Sequence, residues 1–111
     1  MPIEPVHVEH GSAVLAYMPP ERASSGDLAD VLDTAMSYAV ASLLAVGDEF
    51  ATAELRTSYR RPVTVDAGPL RVEAGVLHRS RTTALAEGRI VDAEGRLFAH
   101  ATATWSLQPV A

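Results

Sequence analysis

The sequence predicts an α+β fold in which a curved antiparallel sheet wraps one long central helix. Three observations predict it. Only one long stretch, Ser24 to Leu44, has helical periodicity, and it is apolar most of the way round, as a buried helix is. Four strand-like runs follow Gly47, separated by turn residues. Two neighbouring runs carry faces of small residues, Ala84, Ala86 and Gly88 on one and Ala99, Ala101 and Ala103 on the next. Side by side they form a shallow trough into which a thick helix can press.

His7 to Tyr17 reads as a first strand, with Gly11 marking a bulge or bend. Met18 to Ala23 is a loop, because Pro19 and Pro20 cannot continue a ladder. In the helix, Leu28, Val31, Leu32, Ala35, Ala39, Leu43 and Val46 share one face, and Met36, Val40 and Leu44 widen it. Ser24 or Ser25 caps the first turn, with Asp27 at capping-box spacing from Ser24, and Gly47 is the expected end. The next run is Phe50 to Val63, with Ala51, Ala53, Leu55, Thr57 and Tyr59 on one side and Thr52, Glu54, Arg56 and Ser58 on the other. Leu70 to Arg79 and Thr82 to Val91 follow. Asp92 to Gly95 closes a hairpin into Leu97 to Leu107, and the tail from Gln108 is read as frayed. The layout is one strand, the helix, then an antiparallel meander. Such a sheet has open edges, and self-association is the usual remedy.

A chain of 111 residues suits one domain, spanning residues 1–111. No cysteine means no disulfide and no thiolate metal site. No apolar run approaches the roughly 20 residues of a membrane span, and Met1 to Pro5 lacks the basic start of a signal peptide, so a cytoplasmic protein is expected. A net charge of −5 argues against a nucleic-acid partner. His7, His10, His78 and His100 lack metal-ligand spacing, and His100 reads as a structural histidine. Trp105 and Tyr59 read as packing or interface residues.

Asp33 does not suit a plain core helix. Every charged residue between Ser24 and Leu55 is acidic, so no cation lies within helical reach. Either Asp33 is a carboxylate in an apolar site with a raised pKa, as at functional sites, or it faces solvent or meets an Arg from a distant strand. All nine basic residues are Arg. Arg60 and Arg61, and Arg79 and Arg81 with His78 and Ser80, are the clusters that suit phosphate. The alternative for each is a solvated Arg paired with a neighbouring Glu.

The stretch Gly26 to Ser37, with Leu32-Asp33-Thr34-Ala35 inside it, resembles the helix start of hotdog-fold acyl-CoA thioesterases of the phenylacetate-degradation type. Thr52 to Leu55 with Ser58-Tyr59-Arg60-Arg61-Pro62-Val63 is similar to that family's next strand, and Asp92 to Leu97 with Ala99 to Thr102 is similar to its last hairpin. The resemblance implies a hotdog fold and a homodimer, or a homotetramer of paired dimers, with sites at subunit interfaces. It implies hydrolysis of an acyl-CoA thioester, with Asp33 as base or nucleophile, Ser37 placing water, and the helix start at Ser25 and Gly26 holding the carbonyl oxygen. Arg60, Arg61, His78, Arg79, Ser80 and Arg81 would face coenzyme A, which enters as part of the substrate; no separate cofactor or metal is expected. The sequence departs from the family pattern at Ser24, where a His is usual, at Ser25, where a Gly is usual, and near Met18, where Asn or Gln is usual. A non-catalytic acyl-CoA binder is the alternative. Asp33 and Gly26 are two turns apart, about 10 Å along the axis, so the two groups are expected to serve one carbonyl from different subunits.

Overall fold

The computed structural model describes residues 3–20 and 22–110. Met1, Pro2, Glu21 and Ala111 lie outside the described residues, and with them part of the readings of the leader, the first loop and the tail. Six strands, β1 (Ile3–Glu9), β2 (Ser12–Tyr17), β3 (Glu49–Tyr59), β4 (Leu70–Arg79), β5 (Thr83–Val91) and β6 (Leu97–Gln108), form one antiparallel sheet in the order β1-β2-β4-β5-β6-β3. The helix α1 (Ser25–Ala41) lies on one face of it and packs against β4, β5 and β2 most closely.

The capping box at the helix start forms as its spacing requires. Ser24 Oγ accepts from Asp27 N–H at 3.1 Å, and the Asp27 carboxylate accepts from Ser24 N–H at 2.8 Å. Leu28, Val31, Leu32, Ala35, Met36, Ala39 and Val40 are buried. The small-residue trough lies beneath them. A Cβ on Gly88 would sit 3.2 Å from Met36 Cγ and 3.4 Å from Leu32 Cδ2, so a glycine there lets the helix approach the sheet. Ala84, Ala86, Ala99, Ala101 and Ala103 complete the floor and are buried.

Four expectations need correction. The stretch from His7 to Tyr17 is not one strand: β1 and β2 form a hairpin turned at His10 and Gly11, where Gly11 has a φ of 84°. Left-handed backbone at the tip of a tight turn is where glycine is needed. The four later strands are not a simple meander. Residues 60–69, with Pro62, Pro69 and a short 3-10 helix (Val65–Ala67), carry the chain across to β4, which pairs with β2, while β3 pairs with β6. The helix ends at Ala41, short of Gly47. There Ser42 Oγ donates to Ala39 O and accepts from Gly11 N–H, both at 2.7 Å, and the chain tightens into i−3 bonds from Leu43 and Leu44. Val46, expected on the buried face, is fully exposed beyond that end. The tail is tied rather than frayed, since β6 runs to Gln108 and Val110 N–H donates to Asp48.

A fifth difference decides the site. The β3–β6 register shifts between Thr52 and Glu54, a bulge at Ala53. A bulge adds one residue and reverses the alternation beyond it. Phe50 and Thr52 therefore stand opposite the buried Leu107 and Trp105, on the same side as Leu55 and Thr57. Strict alternation had put Thr52 on the other face.

Candidate active site

Asp33 stands in the middle of α1, on the seam where the helix meets β3. It is half-buried, not lodged wholly among apolar neighbours. Its Oδ1 accepts a hydrogen bond from Thr52 Oγ1 at 2.9 Å. Among the described residues no basic side chain comes within ion-pair distance of it. The bulge at Ala53 makes this contact by turning Thr52 inward, so the strand that follows the helix fixes the orientation of the carboxylate. Ser37, one turn on, is half-buried on the same side of the helix.

The helix start forms a second cluster. Ser25 and Gly26 are exposed, and among the described residues no acceptor meets either N–H. The positive end of the helix dipole adds to these donors. Tyr59, at the far end of β3, donates its phenol to Ser25 O at 3.0 Å. A cleft of about 310 Å³ opens beside it, lined by Ser25, Leu28, Tyr59, Arg60, Arg61 and Val63. Arg60 and Arg61 are held by their backbones, both donating to Phe98 O, and the Arg61 guanidinium lies 5.5 Å from the Phe98 ring centre. The Asp27 carboxylate of the capping box puts a negative charge close by. Burial, and then that charge, raise the pKa of the Tyr17 phenol.

The remaining arginine cluster lies elsewhere. Arg79 donates to Leu43 O at 2.8 Å, just past the C-terminal end of α1, where a cation suits the dipole. Ser80 Oγ accepts from Thr83 N–H and closes the β4–β5 turn, while His78 and Arg81 are exposed beside it. A helix of 17 residues is about 25 Å long. Within one chain, then, Arg60 and Arg61 do not meet Arg79 and Arg81. Nor does Asp33 meet Ser25 and Gly26.

Two further depressions are separate from these groups. One of about 340 Å³ lies on the outer sheet face between Glu73, Glu87, Arg89 and His100. His100, read as a structural histidine, lines it half-buried, with Nε2 at 4.0 Å from Glu87. The other, about 470 Å³, lies between Ile3, Met18 and Leu70 at the opposite end of the sheet from β3.

Two carboxylates outside the site are tuned by their partners. Burial alone would raise the pKa of Glu73, but hydrogen bonds and charge from Arg89 and Arg71, each at 2.7 Å, hold it below the ordinary value. Asp92 is only 3% exposed. Burial pushes its pKa up as well, and is outweighed by the Arg96 backbone and guanidinium, the latter at 2.6 Å, and by Glu94 N–H. In both, the folded pKa lies below the unfolded one, so the stabilisation is complete above the unfolded value and fades as pH falls through the folded one. Urea unfolding between pH 7 and pH 3 should show stability falling below about pH 4.5. The Glu73→Gln/Asp92→Asn variant should flatten that fall; an unchanged slope would assign acid sensitivity to other groups.

A sequence model of the thioesterase superfamily matches residues 24–99, which include α1, β3 and the start of β6. No curated protein matches the sequence. Among solved structures, AziG of S. sahachiroi superposes with a TM-score of 0.91 at 22% identity, covering 97% of this chain and 92% of its own. A hypothetical thioesterase with coenzyme A from Streptococcus pneumoniae TIGR4 gives 0.85 at 22%, covering 96% and 88%. The smu.793 protein of Streptococcus mutans UA159, bound to acetyl CoA, gives 0.86 at 17%, covering 96% and 89%. The helix cradled by a six-stranded antiparallel sheet is the hotdog fold, and the chain belongs to the thioesterase superfamily.

Proposed function

We propose that the protein is an acyl-CoA thioesterase working as a homodimer, with Asp33 as its base or nucleophile. The observation that carries this reading is the Asp33–Thr52 pair: a carboxylate oriented by a hydroxyl, with no cation paired to it among the described residues, on an open seam beside the β3 edge of the sheet. The coenzyme A and acetyl CoA in two structural neighbours support the substrate class.

The dimer follows from how the two sheet edges differ. β1 is blunted by Pro5, by a register shift after it and by Glu4 and Glu9. β3 has no proline, and its helix-facing Phe50 and Tyr59 stay 37% and 45% exposed. An isologous antiparallel contact between two β3 edges would set the Thr52 end of one copy against the Tyr59 end of the other. Asp33 of one subunit then approaches Ser25 and Gly26 of the second, which one chain cannot achieve alone. Arg60 and Arg61 at the cleft mouth would take coenzyme A phosphates, with Arg79 and Arg81 arriving from the other copy.

In the proposed reaction, water attacks the thioester carbon while Asp33 takes its proton. The oxyanion rests on the N–H groups of Ser25 and Gly26. The intermediate collapses with cleavage of the C–S bond, and the departing thiolate recovers the proton from Asp33, leaving a carboxylic acid and the free thiol. In the nucleophilic alternative the Asp33 carboxylate attacks the thioester carbon and the C–S bond breaks, releasing the thiolate. Water then cleaves the mixed anhydride to the free acid and the Asp33 carboxylate, and the proton released goes to the thiolate. Free-thiol release from a panel of acyl-CoA esters, by wild type and by Asp33→Asn, tests the reading.

Glu54 and Arg56 lie 3.2 Å apart at the middle of β3, on its outer face. Antiparallel pairing about Leu55 would place each against its opposite in the other copy. Glu54→Arg should gather four guanidinium groups at the axis and weaken dimerisation at least tenfold, with activity lost in dilute solution. The exchange Glu54→Arg/Arg56→Glu should restore both. Sedimentation checks the assembly, and an active monomer would contradict the shared site.

A non-catalytic acyl-CoA binder is the second reading. The Asp27 carboxylate favours it, because it already offsets the charge of the helix end where an oxyanion would develop. Calorimetric binding of acyl-CoA with no release of thiol would establish it.

A further inference from the structure

We infer that Tyr59 is a positioning residue that tunes the carbonyl-binding amide of Gly26, an inference that rests on the thioesterase reading. Tyr59 is on the surface, 45% exposed, where water could satisfy its phenol. It nevertheless donates to Ser25 O, at 3.0 Å. That oxygen belongs to the peptide unit whose N–H is the Gly26 donor, and that N–H has no acceptor among the described residues. A hydrogen bond on the carbonyl side of an amide draws charge from its nitrogen and strengthens the N–H as a donor. The same bond ties the end of β3 to the first residue of α1. The donor peptide thus follows the strand edge on which the dimer is proposed to form, and sits at the wall of the 310 Å³ cleft.

The phenol acts through the peptide and touches no reacting atom. Its loss should therefore matter only to ligands that present an oxygen to the Gly26 N–H. Tyr59→Phe keeps the ring and removes the donor. Turnover of an acyl-CoA by Tyr59→Phe is expected to fall about tenfold in kcat with KM unchanged, short of the 10²–10³ lost with an oxyanion donor itself. Binding of an alkyl-CoA thioether, which lacks the carbonyl oxygen, should be unaffected, while binding of the matching ketone analogue should weaken. If wild type and Tyr59→Phe share the same kcat, the inference fails and the thioesterase reading stands. Equal weakening of thioether and ketone binding would mean that Tyr59 only braces the cleft, and would also overturn the inference. A wild-type protein that releases no thiol from any acyl-CoA would overturn both.

Discussion

Replacing Asp33 by Asn is expected to lower thioester turnover by about 10² to 10⁴-fold, the range of a lost general base, with the melting temperature nearly unchanged. Asn keeps the oxygen that accepts from Thr52 Oγ1 and has almost the same shape, so the seam between α1 and β3 stays closed. It cannot take a proton or attack a carbonyl. Among the described residues no guanidinium pairs with Asp33, so removing its charge strands no buried cation there. Thiol release and a thermal melt on the same sample separate the chemistry from the fold. A variant that turns over at the wild-type rate would remove Asp33 from the mechanism. A variant that melts far below wild type would make it a structural residue instead.

The parts of this fold that were legible in the sequence are those set by local spacing. The capping box needs only Ser24 and Asp27 three residues apart. The buried face needs only the 3.6-residue period from Leu28 to Val40. The trough could be read because burial alternates regularly from Ala84 to Ile90 on β5 and from Ala99 to Leu107 on β6, so Ala84, Ala86 and Gly88 stay on one face. The hairpin after Asp92 announces itself by Gly95, at φ 83°.

The parts that were not legible depend on pairing between distant segments. Whether Gly11 bends a strand or turns a hairpin is settled by β1 finding β2, and by Gly11 N–H reaching Ser42 on the far end of the helix. That β3 joins β6 rather than β4 follows from residues 60–69 being too long and proline-rich for a tight turn. The bulge at Ala53 leaves no mark in the sequence, because alanine suits either register. Yet it decides which side chain meets Asp33. Asp33 itself was found by its chemistry, as a lone carboxylate on an apolar helix, whereas Thr52 was missed because strict alternation turned it away. Its one available sign was a β-branched hydroxyl on the strand that follows the helix.

Trp105 should be the most costly side chain to remove for stability. It is 1% exposed, faces α1 from β6, and stands between Thr52 on β3 and Ala84 on β5. Trp105→Ala is expected to cost about 3–5 kcal/mol, because neighbours on two strands cannot collapse into the void. In a domain of this size that corresponds to a fall in Tm of about 15 °C or more. Among the described residues the indole N–H meets no acceptor, although it is fully buried. Trp105→Phe therefore breaks no hydrogen bond and removes an unsatisfied donor, which offsets part of the lost volume. The Phe variant should retain most of the stability that Ala loses. If Phe costs as much as Ala, the N–H has a buried water partner and the polar contact outweighs the packing. Thr52 neighbours Trp105 in the ladder and carries the hydrogen bond to Asp33. The Ala variant should therefore lose turnover even below its melting temperature, while the Phe variant, with the wall behind Thr52 intact, should keep it.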